Sequence, residues 1–112
     1  VNIGGEQSKN GVIKPELDNL ICQISELKNI KVKGLMTIPP PENSEKYFCE
    51  MQDLFVSSRS RHSDSVNMEL LSMGMSSDYV SAVKYGSNIV RIGTALFGAR
   101  KYREEANSYG IT

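Results

Sequence analysis

Met68-Glu69-Leu70-Leu71-Ser72-Met73-Gly74 runs through Met75-Ser76-Ser77 into Asp78-Tyr79-Val80-Ser81-Ala82-Val83-Lys84-Tyr85. The first segment is an apolar run of strand length. The last is a short helical pattern over 78–85, with Gly86 placed to close it as a C-cap. Small and hydroxyl residues join the two. Asn88-Ile89-Val90-Arg91-Ile92-Gly93 then reads as another strand, followed by a short Thr94–Phe97 segment.

The same alternation extends upstream. Ile30-Lys31-Val32-Lys33-Gly34-Leu35-Met36-Thr37-Ile38 begins with alternating polarity and ends as a buried run, which predicts a strand. Pro39-Pro40-Pro41 stops it, because proline has no N–H to give to a ladder. Tyr47, Phe48, Met51, Leu54 and Phe55 share one face of a helix predicted over 44–58. Leu17, Leu20, Ile21, Ile24 and Leu27 do the same for a helix over about 15–28, which Pro15 can open. Val1 and Ile3 read as alternate apolar positions of a first strand. Strands and helices alternate throughout, so the expectation is an α/β fold with a parallel sheet of right-handed βαβ units. Four strands suit a small open doubly wound sheet or half of an eight-stranded barrel. Periodicity does not choose between them.

Composition removes several classes of function. The 112 residues carry 13 Lys+Arg and 13 Asp+Glu, with no apolar stretch long enough to span a bilayer. Balanced charge gives no reason to expect a nucleic-acid surface or a membrane-bound protein. Cys22 and Cys49 form no metal-binding spacing and are expected as reduced, buried thiols of a cytoplasmic protein. His62 lies in a polar Ser/Arg loop and is expected to be solvated. With no second histidine and no nucleophile elbow, a Ser-His-Asp triad has no support. The opening Val1-Asn2-Ile3 has no initiator Met and no charged leader, so it reads as a chain entered mid-strand.

In parallel α/β folds, ligands bind beyond the C-terminal ends of the strands. Two loops there combine small residues with hydroxyls: Ser72 to Asp78, and Arg91 to Gly98. Such junctions suit a phosphate. Ser76 or Ser77 could equally be a helix N-cap, and Gly93 only a tight turn. Arg91 stands among Ile89, Val90 and Ile92, and a buried guanidinium needs an acceptor. A core carboxylate or a ligand heteroatom would serve.

Four segments together carry a resemblance. They are Val1-Asn2-Ile3 with Glu6 to Gly11, Gly34-Leu35-Met36-Thr37-Ile38, Leu71 to Asp78, and Val90-Arg91-Ile92-Gly93-Thr94-Ala95-Leu96-Phe97-Gly98-Ala99-Arg100. In this order and spacing, the sequence resembles the pyridoxal phosphate homeostasis protein family over nearly its whole length. The resemblance implies the C-terminal half of a (β/α)8 TIM-type barrel, about strands five to eight, like the N-terminal domain of alanine racemase. It implies residues 1–100 as this half-barrel and 101–112 as a polar tail.

The resemblance also implies pyridoxal 5′-phosphate as cofactor. Met75, Ser76, Ser77, Gly93 and Thr94 would hold its phosphate, Arg91 would face the pyridine nitrogen, and Met36 would lie near the ring. Members resemble cofactor carriers and buffers, and no residue here is expected to be catalytic. The family's Schiff-base lysine sits in its N-terminal half, and neither Lys9 nor Lys33 matches that motif. A cytoplasmic location follows from the resemblance, with a mitochondrial one also open. Two alternatives compete. One is an amino-acid racemase, which needs a second acid/base. The other is an RNA-binding module built on Arg59 and Arg61, whose electrostatic footprint is small. The full-length protein is expected to be monomeric. A half-barrel alone would expose strand edges and apolar helix faces, and so self-associate.

Overall fold

The computed structural model describes residues 1–61 and 63–101. His62 and the tail beyond residue 101 lie outside them. Strands β1 (Val32–Met36), β2 (Val66–Met75) and β3 (Ile89–Arg91) alternate with helices α1 (Leu17–Ser25), α2 (Ser44–Ser58), α3 (Tyr79–Lys84) and α4 (Thr94–Phe97). The sheet order is β1-β2-β3, and both pairings are parallel. The fold is therefore α/β, with each new strand added on the same side of the last.

The sheet buries one face against its helices. Leu35 of β1 and Leu71 and Met73 of β2 meet Leu17 and Ile21 of α1, Phe48, Met51 and Phe55 of α2, and Ala82 of α3. Helix α2 has the predicted bounds and the predicted apolar face. Helix α1 is shorter than expected. Pro15 falls in a 3-10 turn, Lys14–Glu16, that precedes it. The helix ends at Ser25, so Leu27 is left exposed.

Strand β2 contains a change of phase. Val32 pairs with Val66, but Gly34 pairs with Leu70, so β2 carries extra residues against β1. Val66 and Met68 are buried on one parity, Leu71 and Met73 on the other. A bulge is what lets one strand change the parity of its buried side chains. Gly34 lies opposite it, where an added Cβ would run into the Leu70 carbonyl.

The expected first strand is not one. The Asn2 N–H donates to the Val12 carbonyl at 2.8 Å, and the Asn2 side chain closes onto Glu6. The amide is thus committed to the loop that follows. The segment still lies along β1. The Val1 amino group donates to the Met36 carbonyl at 2.7 Å, the Thr37 hydroxyl to the Val1 carbonyl at 2.8 Å, and Ile3 is buried.

The cysteines are free as expected, but both are exposed. Each follows a buried apolar residue, Ile21 or Phe48, and a step of about 100° around a helix turns it off that face. Arg61 pairs with Asp18 at 2.7 Å, and Arg59 stacks over the Phe55 ring at 4.8 Å. Among the described residues, no helix is long and apolar enough to cross a membrane.

Candidate functional site

Each βα junction delivers its residues to the same end of the sheet. Beyond the ends of β1, β2 and β3 lies a cleft of about 650 Å3. That volume is within the range of small-molecule sites. Met75, Ser76, Ser77, Arg91, Gly93 and Thr94 all line it. Met36 does not. It is 47% exposed and lines an adjoining hollow with Val1, Asn10 and Gly11. The register explains this. Met36 pairs with Ser72, one turn of the pleat below the cleft, and the chain reaches the cleft at Thr37 and Ile38.

The β2–α3 junction is a closed turn. Gly74 takes φ +102, and a Cβ there would press on Ala82 of α3. Asp78 Oδ1 accepts the Met75 N–H at 2.8 Å, and the Asp78 N–H donates to the Met75 carbonyl at 3.1 Å. Neither Ser76 nor Ser77 caps α3; Asp78 holds the N-cap position. The Ser76 hydroxyl is used elsewhere. It accepts the Gly93 N–H at 3.2 Å and the Ala95 N–H at 3.0 Å, and so ties this turn to the one after β3.

Arg91 reaches back across the sheet. Its Nη2 donates to the Thr37 carbonyl at 2.9 Å. Among the described residues the ion pairs are Lys9–Glu6, Lys33–Glu69 and Arg61–Asp18, and Arg91 is in none of them. Its Nε is buried and has no partner among the described residues. No carboxylate among the described residues is therefore the acceptor. A charged donor held this way at a cleft wall is open to a ligand atom.

Other lining residues carried no local signal. Lys9 comes from the loop after Val1–Ile3. Its Nζ lies 3.6 Å from Glu6 Oε1 and donates to the Ile38 carbonyl at 3.4 Å. Thr37, Pro39 and Pro41 come from the β1 exit. The rule that ligands bind beyond strand C-termini, applied to every strand and to Val1–Ile3, would have found them. Lys9, Arg91 and Arg100 outnumber Asp78 in the lining, so the cleft favours an anion.

Residues 1–101 match the family of the alanine racemase N-terminal domain. The chain is 47% identical over 108 residues to the pyridoxal phosphate homeostasis protein of Aquifex aeolicus, covering 91% of this chain and 46% of that one. It is 39% identical over 106 residues to the protein of the same name from Escherichia coli, covering 94% and 45%. PipY of Synechococcus elongatus, solved without PLP, superposes with a TM-score of 0.76 at 30% identity, covering 88% of this chain and 47% of that one. The same protein with PLP bound gives 0.69 at 27% identity, covering 87% and 48%. The chain spans about half the length of the curated relatives it matches. On the match over residues 1–101, the chain belongs to the alanine racemase N-terminal domain family.

Proposed function

We propose that this chain is the C-terminal half of a (β/α)8 barrel that holds pyridoxal 5′-phosphate and serves intracellular cofactor homeostasis as a carrier or buffer. In this reading Val1–Ile3, β1, β2 and β3 correspond to strands five to eight. Parallel strands laid side by side in sequence order are what such a barrel requires. The homeostasis proteins of Aquifex aeolicus and Escherichia coli, and the PLP-bound PipY, support the ligand.

The observation that carries the proposal is Arg91, whose buried, unpartnered Nε lies at the cleft that also presents Ser76, Ser77 and Thr94. The residues fit the cofactor. Hydroxyls and backbone amides at the β2–α3 and β3–α4 turns suit its phosphate, and excess cationic charge suits its anionic form. Arg91 is the residue for the ring nitrogen. Arginine stays protonated and only donates, so it favours an unprotonated pyridine. When bound, pyridoxal phosphate supplies an aldehyde for amines and a ring that accepts electrons. An unprotonated ring accepts them less well, which fits carrying better than racemisation. No lysine of these residues is assigned to the aldehyde.

The test uses the protein expressed with the sequence that flanks these residues in its gene. It should show visible absorbance of bound pyridoxal phosphate. Arg91→Ala or Thr94→Val should weaken pyridoxal phosphate affinity. Absence of the cofactor from wild type overturns the proposal. For the 112 residues alone, weak non-covalent binding at most is expected. A borohydride-trapped lysine adduct within them would contradict this.

A further inference from the structure

Strands β2 and β3 fall out of step just below Arg91. Ser72 pairs with Ile89, so regular parallel pairing would set Arg91, two residues on, opposite Gly74. Arg91 pairs instead with Met75. Strand β2 thus spends three steps where β3 spends two, and Gly74, at φ +102, lies within the longer stretch. A bulge disrupts the ladder locally, so contacts outside the ladder must hold the offset.

Ser87 makes such contacts. It lies just beyond the end of α3, is 7% exposed, and does not line the cleft. Its hydroxyl donates to the Met73 carbonyl at 2.6 Å, and its oxygen lies 3.0 Å from the Ile89 carbonyl and 3.2 Å from that of Leu71. A serine hydroxyl has one proton, and Met73 is the nearest acceptor. One buried side chain therefore grips β2 within its longer stretch and touches β3 two residues before Arg91. Asn88 also binds β2, but through Glu69 and Leu71, below the offset.

We infer, resting on the reading of Arg91 as the contact to the ring nitrogen, that Ser87 is a positioning residue for the cofactor. It locks β2 and β3 in their out-of-step pairing and so fixes the height at which Arg91 leaves the sheet. From that height Arg91 Nη2 reaches the Thr37 carbonyl at 2.9 Å. A slip to regular pairing would move Arg91 by one residue, about 3.3 Å along the strand. That exceeds what a hydrogen bond tolerates, so the guanidinium would lose its aim. Ser87 acts on the ligand through Arg91.

The experiment is a double-mutant cycle in the protein with its flanking sequence. Wild type, Ser87→Ala, Arg91→Ala and the double variant are titrated with pyridoxal phosphate, and the absorbance band of the bound cofactor is recorded for each. Ser87→Ala lowers affinity about tenfold when Arg91 is present, the scale of one charge-assisted hydrogen bond. In the Arg91→Ala background it lowers affinity less than about twofold, because both substitutions remove one shared contact. Ser87→Ala and Arg91→Ala shift the absorbance band in the same direction, and the double variant shifts it no further. Asn88→Ala is the control: it lowers the urea midpoint but leaves affinity within about twofold of wild type, as for an independent site. Ser87→Cys keeps a weak donor of similar shape and gives intermediate affinity, and it carries the same cycle if Ser87→Ala does not fold. Equal losses in both backgrounds overturn the inference, as does a loss in Asn88→Ala that matches Ser87→Ala. In those cases wild type still binds, and the cleft reading stands. If wild type takes up no pyridoxal phosphate, the cleft reading itself fails and this inference falls with it.

Discussion

Arg91, on β3, donates from Nη2 to the Thr37 carbonyl at the exit of β1, at 2.9 Å, spanning the sheet above β2. This bond aims the guanidinium while leaving Nε unspent. Arg91→Ala should lower pyridoxal phosphate affinity about tenfold to a hundredfold, from the loss of a charge-assisted contact. Arg91→Lys keeps the charge but loses the planar fork, so it should recover only part of the affinity. Equal affinity in wild type and Arg91→Ala by fluorescence titration would remove Arg91 from the site.

Gly34 faces the Leu70 carbonyl too closely for any side chain. Gly34→Ala must push β1 away from β2 beside the bulge. A loss of about 1–3 kcal/mol is expected, as for other overpacked positions. Urea unfolding measures it, and an unchanged midpoint would show that the strands part freely there.

Asn88 stands in for a missing stretch of β3. Its Oδ1 accepts the Leu71 N–H at 2.8 Å, and its Nδ2 donates to the Glu69 carbonyl at 2.7 Å. Leu71 is fully buried, so Asn88→Ala leaves its amide without that acceptor. The cost should be about 1–3 kcal/mol. Faster hydrogen exchange at Leu71 identifies the cause. If stability falls while that amide stays protected, the assignment fails.

The Tyr85 hydroxyl donates to Glu45 Oε1 at 2.9 Å, and this bond raises the phenol's pKa above its ordinary 10.0. A group with a raised folded pKa contributes stability below its unfolded pKa and loses it as pH rises through the folded one. The stability difference between wild type and Tyr85→Phe should therefore be constant at neutral pH and shrink above about pH 10. A difference that grows with pH would show that the hydroxyl serves another partner.

Much of this fold was legible in the sequence where periodicity was unbroken. Helix α2 runs Ser44–Ser58 as read, because its apolar face repeats cleanly after a proline stop. The start of β2 at Val66 was missed. Its alternation breaks at Glu69-Leu70, and a pattern that changes parity looks like an end. Val1–Ile3 has strand residues but commits its amide locally, a choice that side-chain type does not record. Arg91 was visible as a charge among β-branched residues. Its partner was not, because a backbone carbonyl such as that of Thr37 leaves no mark in the sequence. Lys9 was invisible for a related reason: it enters the cleft only through a contact with Ile38, 29 residues away.

The phase change in β2 divides the strand into two parts with separate duties. Val66 and Met68 seat the early part, while Leu71 and Met73 seat the part that leads into Gly74 and the serine turn. Regular pleating at the present length would turn Leu71 and Met73 out of the core together, whereas a single-residue deletion at Glu69-Leu70 would put all four on one parity and draw Gly74 and the serine turn back by one residue. The chain's length at this point is thus as constrained as the identity of its residues. The bulge acts as a spacer that sets how far the serine turn projects above the sheet.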